Sequence, residues 1–188
     1  MRFRFLFWIN LAWLLTVSCA SSDSSAFELK ALDGTSVSVD LSQSDRLRVF
    51  FFLSPECPLC ENYSYTLTEL REQFSPDSVT FYGVFPGTYY DKASIQRFLS
   101  RYHPPVEVLL DPNYAFTKHL GATVTPEAFL IDQRGEVRYA GKIDNWIPQL
   151  GIKRQVVDRH YLQDAMAAAL QGRTPALART EPVGCFIE

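Results

Sequence analysis

Between residues 27 and 41 apolar and polar positions alternate, and Asp33-Gly34 falls near the middle. A period of two around such a dipeptide predicts a β-hairpin. Residues 47–53 behave differently, because Val49-Phe50-Phe51-Phe52-Leu53 is apolar without alternation. A strand reads that way when both of its faces are buried, as in a parallel sheet. Directly after it stands Ser54-Pro55-Glu56-Cys57-Pro58-Leu59-Cys60. From there Leu59, Tyr63, Leu67, Leu70 and Phe74 recur at helical steps.

Ser75-Pro76-Asp77 ends that helix, and residues 79–85 form a strand stopped by Pro86-Gly87. Ile95, Phe98, Leu99 and Tyr102 mark a second helical face, broken at His103-Pro104-Pro105. Residues 106–110 read as a short strand. Asp111-Pro112 then reads as an N-cap with proline at the first helical position, and Gly121 as the stop. Residues 128–131 and 136–139 flank Asp132-Gln133-Arg134-Gly135 as a hairpin, and residues 142–155 are irregular. A last helix puts Leu162, Ala165, Met166, Ala169 and Leu170 on one face. Strands alternating with helices predict an α/β fold: a central mixed sheet flanked by helices, preceded by an N-terminal β-hairpin. Such folds place their chemistry at the carboxyl ends of strands, where residues 54–60 fall.

The 188 residues, 47% of them apolar, suffice for one core. The first residues read as targeting rather than fold. Arg2 and Arg4 precede an apolar run, residues 5–15, that is too short to span a bilayer. Thr16-Val17-Ser18-Cys19 follows, which is similar to a lipoprotein signal with Cys19 as the acylated residue, although Thr16 stands where Leu is usual. The expected organisation is a signal peptide over 1–18, a tether over 19–26, one domain over 27–171 and a tail over 172–188 that carries Cys185. Export would leave the protein on the periplasmic side of a bacterial membrane, held by a lipid on Cys19. Without residues 1–18 the 18 basic residues fall to 16 against 21 acidic ones, a formal charge of −5. That balance offers no nucleic-acid surface.

Three cysteines remain: Cys57, Cys60 and Cys185. One CxxC and an outlier do not make a disulfide scaffold, and an oxidising compartment turns the pair toward redox chemistry. Two thiols at the start of a helix close a disulfide within one turn, and the helix N-terminus stabilises a thiolate there. Cys57, nearer the exposed end, is the expected nucleophile, and Cys60, one turn in, the expected resolving thiol. Pro58 suits the first turn because its missing N–H has no helical partner. Glu56 is either an exposed acid or a charge that opposes the thiolate. Zinc would need four ligands, and no second close pair accompanies the first. No metal or cofactor is implied.

Phe27-Glu28-Leu29, Asp33-Gly34, the strand running into the CxxC, and Thr125-Pro126-Glu127-Ala128-Phe129 together resemble the thioredoxin-like redoxins. That group includes TlpA-type oxidoreductases and the alkyl-hydroperoxide-reductase/thiol-specific-antioxidant proteins, and the likeness covers residues 27–171. Residues 139–145 and Gly184-Cys185-Phe186-Ile187 look like an exported, CPLC-containing subgroup. The resemblance implies a thioredoxin fold and thiol–disulfide exchange with client proteins and a redox partner. It also implies a cis Thr125–Pro126 bond lying against the CxxC, with Pro58, Thr125 and Pro126 facing the client. Two departures stand out: Glu56 replaces the usual Trp, and Phe51 replaces a buried acid. Glu127 is a candidate substitute for that acid, although a surface position is the ordinary expectation for Glu.

Weaker signals leave alternatives. Ser54, three residues before Cys57, matches a peroxiredoxin-like peroxidase using Cys57, whereas Phe50 replaces the proline of that pattern. A non-enzymatic copper-binding or redox module is the other alternative. Cys185 is either a third redox thiol or a packed tail residue. Asp144, Asn145 and Trp146 either line a groove or cap the loop, and His103, His119 and His160 are scattered.

Overall fold

The computed structural model describes residues 26–42 and 44–188. The signal, most of the tether and Cys19 lie outside the described residues.

The chain opens with the expected hairpin, β1 (Ala26–Lys30) and β2 (Ser36–Asp40), so Ala26 belongs to the first strand rather than to the tether. Next come β3 (Leu47–Phe52), α1 (Pro58–Gln73), β4 (Val79–Pro86), α2 (Lys92–Tyr102), β5 (Glu107–Asp111) and α3 (Ala115–Leu120). The rest is β6 (Val124–Thr125), β7 (Glu127–Ile131), β8 (Val137–Gly141), α4 (Tyr161–Leu170) and β9 (Cys185–Phe186). Seven strands form one sheet in the order β2-β1-β5-β4-β3-β7-β8, and β6 pairs with β9 apart from it. β3, β4 and β5 run parallel, while β7 runs antiparallel to β3. The fold is a thioredoxin-like α/β sheet flanked by helices.

The unbroken apolar run of β3 has the cause its pattern suggests. Val49, Phe51 and Leu53 face a core shared with α1, α2 and α4, through Tyr63, Leu67, Phe98, Leu162 and Met166. Phe50 and Phe52 face the other side, against Phe116 of α3, Phe129 and Leu29. Each of these phenylalanines is fully buried, which contributes roughly 1.5–3 kcal/mol apiece. β3 is therefore locked on both faces, and its carboxyl end holds residues 54–57 in a fixed place.

Two expectations are corrected. α3 does not begin at Asp111-Pro112: Asp111 closes β5, paired with Pro86, and the N-cap is Tyr114 at φ +58°. Asp111 still serves the helix, because its carboxylate accepts the N–H and the hydroxyl of Thr117 at 2.8 and 2.7 Å. In α4, Leu162, Ala165 and Met166 are buried, but Leu170, the last residue of the helix, is exposed. Gly121 ends α3 in the left-handed region as expected.

Candidate active site

Cys57 is the N-cap of α1 and Pro58 its first helical residue. The N–H of Cys57 donates to the Ser54 carbonyl at 3.3 Å, so a tight turn carries the chain from β3 into the helix. Ser54, itself buried, donates its N–H to Cys60 Sγ at 3.4 Å. Cys60 lies one turn inside, fully buried in the core shared by α1 and the sheet.

The two thiols have opposite acidities. Hydrogen bonding from Cys60 is the largest influence on Cys57 and outweighs the cost of burial. Cys185 and the N–H groups of Cys60 and Leu59 act in the same direction, and the Cys57 thiol is lowered to about 5. The neighbouring thiols contribute most, and the unpaired N–H groups of the helix N-terminus add to them. Cys60 is pushed well up, first by burial and then by the neighbouring Cys57. Glu56 is exposed and does not figure among the groups that set the acidity of Cys57.

Across from the CxxC lies the segment joining β6 to β7. The Thr125–Pro126 bond is cis. Cys57 Sγ donates to the Thr125 carbonyl at 3.1 Å, and both residues are buried. Glu127 is not on the surface, which corrects the ordinary expectation for that residue: it is fully buried on β7, opposite Phe52. Its Oε2 accepts the N–H of Thr123 at 2.9 Å and, at 3.5 Å, that of Val124. Its other oxygen, Oε1, is buried with no hydrogen-bond partner among the described residues. Burial raises its carboxyl above the ordinary range. Phe51 stays apolar and packs edge-on against Phe81.

Cys185, 128 residues along the chain from Cys57, stands with its Sγ 2.6 Å from Cys57 Sγ. All three thiols are free. Sequence pattern could flag Cys185 but not place it, because its position depends on the pairing of β9 with β6. A cleft of about 290 Å³ opens beside it, lined by Ser54, Glu56, Tyr89, Tyr90, Tyr114 and Phe186 among others. Tyr114 carries no sequence signal of its place here; its backbone is left-handed and its ring packs over Gly87.

The remaining candidates lie away from the sulfurs' hydrogen-bond partners, and Asp144 and His160 line a separate cleft with Glu69 and Gln73. Asp144 accepts the Tyr63 hydroxyl at 2.7 Å and the Trp146 N–H at 2.8 Å. Asn145 holds the backbone of Asp158 and Arg159. His103 and His160 cap helix ends, and His119 packs on Phe27.

A CxxC at the end of a central strand, facing a cis proline, places the molecule in the thioredoxin-fold class. Residues 20–148 match the model of the Redoxin family, and the chain belongs to that family: it is a thioredoxin-like redox protein. Among solved structures it is similar to a conserved protein of Geobacillus kaustophilus (24% identity, TM-score 0.73, covering 88% of this chain and 89% of that one). A hypothetical protein of Sinorhizobium meliloti 1021 is also similar (20%, TM-score 0.74, 87% and 91%). So is a secreted Mycobacterium tuberculosis disulfide oxidoreductase homologous to E. coli DsbE (20%, TM-score 0.52, 62% and 84%). These likenesses concern the fold. Comparison with curated protein sequences returned no match.

Proposed function

We propose that the protein is a thiol–disulfide oxidoreductase of the cell envelope, with Cys57 attacking and Cys60 resolving. The observation that carries this reading is the asymmetry of the two thiols. Both are buried, but one sits at the helix N-cap with its acidity lowered to about 5, and the other, one turn further in, is held protonated. The Cys57 thiolate attacks one sulfur of a client disulfide. That S–S bond breaks, a Cys57–client disulfide forms, and the second client sulfur leaves as a thiolate and takes up a proton. Cys60, losing its proton, then attacks Cys57 Sγ. The first client sulfur leaves as a thiol and the Cys57–Cys60 disulfide closes. The client has gained two electrons from the two cysteines and two protons, one from solvent and one from Cys60, and the reverse sequence oxidises a client dithiol. Pro58 is exposed beside Cys57 and would face a client first, while Thr125 and Pro126, buried under β9, would join that rim where β9 moved aside; Ser54 and Glu127 hold the two loops that meet there.

The envelope location rests on Arg2, Arg4, the apolar run and Cys19, together with the similarity to a secreted oxidoreductase. Among the described residues no helix is long and apolar enough to cross a membrane, and a lipid on Cys19 would supply the anchor. Expression in a bacterium with a labelled fatty acid tests it: label on the wild type and none on Cys19→Ser is the expected pair.

The exchange activity is tested by equilibrating the protein across dithiol/disulfide buffers and mapping the cysteines by differential alkylation and mass spectrometry. A reversible Cys57–Cys60 couple above about −300 mV is expected, since structural disulfides lie below that. A couple that never reduces in that range overturns the reading. Rapid oxidation of Cys57 by micromolar-scale peroxide would redirect it to peroxidase chemistry, for which Ser54 is suitably spaced.

A further inference from the structure

Exchange between Cys57 and Cys60 leaves Cys185 and its strand without a role, yet the chain is arranged to bring them in. The tail is first strapped along β8. Thr180 N–H donates to the Ala140 carbonyl and Ala140 N–H to the Ala178 carbonyl, both at 3.0 Å. The Thr180 hydroxyl oxygen accepts the Lys142 N–H at 2.9 Å and shares a 2.6 Å hydrogen bond with the Tyr139 hydroxyl. The tail then crosses to β6, where Cys185 pairs with Thr125 and Phe186 with Val124, and Ile187 N–H donates to the Thr123 carbonyl at 3.0 Å.

The approach is close enough to require glycine. A Cβ at position 184 would stand 2.2 Å from the Thr125 carbonyl oxygen and 2.7 Å from its carbon. In this seat Cys185 meets Cys57 sulfur to sulfur, and Cys57 is only 1% exposed. The acidic thiol is thus covered by a strand that brings a cysteine of its own. An outside chain in extended form would bind such an edge by adding a strand, and on β6 that place is taken by β9.

We propose that β9 is a built-in client: Cys185 exchanges into the disulfide at Cys57, competing with outside partners for that sulfur and for the edge of β6. This rests on Cys57 and Cys60 being the redox couple proposed above. In the oxidised protein the Cys185 thiolate attacks Cys57 Sγ. The Cys57–Cys60 bond breaks, the Cys57–Cys185 bond forms, and Cys60 leaves as a thiolate that takes up the proton Cys185 released. The step is an internal exchange and consumes no oxidant. A Cys57–client disulfide is attacked in the same way, and the client departs as a thiol. In the reduced protein burial, the hydrogen bond to Cys57 and its negative charge hold Cys185 protonated, with its acidity pushed up to about 12. The last two influences vanish once Cys57 is in a disulfide, so the tail becomes reactive when there is a disulfide to take.

The test uses the full chain. Cys60→Ser, given one equivalent of oxidised glutathione, is expected to end as a monomer with a Cys57–Cys185 bond by peptide mapping. A Cys57–glutathione adduct, a Cys57–Cys19 bond or a Cys57-linked dimer, with Cys185 still open to alkylation, overturns the proposal. In that event a wild-type Cys57–Cys60 couple in the same buffers leaves the exchange activity standing, whereas its absence removes both. Gly184→Ala provides a second measurement that leaves every cysteine in place. With β9 unable to seat, Cys57 is expected to react with iodoacetamide about tenfold faster, because a weakened local closure exposes it more often. An unchanged rate overturns the proposal.

Discussion

The sulfur of Cys57 lies 3.1 Å from the carbonyl oxygen of Thr125, a contact between residues 68 apart in the chain. It joins the end of the central strand to the segment before the cis proline. Any partner of Cys57 must therefore share space with the backbone of Thr125, and the consequences of disturbing either side can be stated.

Removal of the sulfurs separates their roles. Cys57→Ala is expected to abolish reduction of a protein disulfide. The double variant Cys60→Ala/Cys185→Ala keeps the nucleophile but neither thiol that can displace a client, and should accumulate mixed disulfides with clients, visible as shifted bands on non-reducing gels. Full turnover by the Cys57 variant would remove the assignment.

The acidity of Cys57 sets a pH window. Thiolate absorbance of the reduced protein should rise through about pH 5, against about 8.5 for a free cysteine, and Cys57→Ser should lack that transition. Because the folded value is depressed, the ionised thiol contributes stability that is present above the ordinary cysteine value and lost as pH falls through about 5. Cys185→Ala removes one hydrogen bond to the thiolate and should move the transition upward.

Glu127 holds the loop before the cis proline from underneath. Glu127→Ala leaves the Val124 N–H buried without an acceptor and should cost about 1–3 kcal/mol in denaturant unfolding. Glu127→Gln keeps an acceptor and should cost less. The carboxyl is raised by burial, so its contribution is fully present below the unfolded value of 4.5 and lost as pH rises through the folded one. The Gln variant should lose that pH dependence, and a slope equal to the wild type's would count against it.

Tyr63 ties α1 to the irregular segment through Asp144. Tyr63→Phe leaves that buried carboxylate with one donor fewer and should cost about 1.5–3 kcal/mol, the range for hydrogen bonds to charged groups. The redox potential of the Cys57–Cys60 couple should stay put, since neither Tyr63 nor Asp144 is among the groups that set the acidity of either thiol. Urea unfolding and redox titration of the same variant check both halves.

The hairpin at Asp33-Gly34, the doubly buried β3, the helix opening at the CxxC and the stop at Gly121 were all legible along the chain. Each is a local matter of side-chain period, turn chemistry or a missing N–H. The start of α3 was not, because the pairing of Asp111 with Pro86 draws it into β5 and leaves its carboxylate to serve the helix from outside. The burial of Glu127 was equally hidden. Its partners are nearby in sequence, but the sheet that covers it is not.

The sequence by itself determined the α/β order, the position of Cys57 and Cys60 at a helix N-terminus and the apolar faces that fill the core. These follow from interactions a few residues long. Only the tertiary structure decided that Cys185 returns to Cys57, that Gly184 must be small and that Glu127 is inside. The first two depend on the tail crossing from β8 to β6 and the third on β7 lying between β3 and β8, pairings between distant segments that no periodicity along the chain encodes.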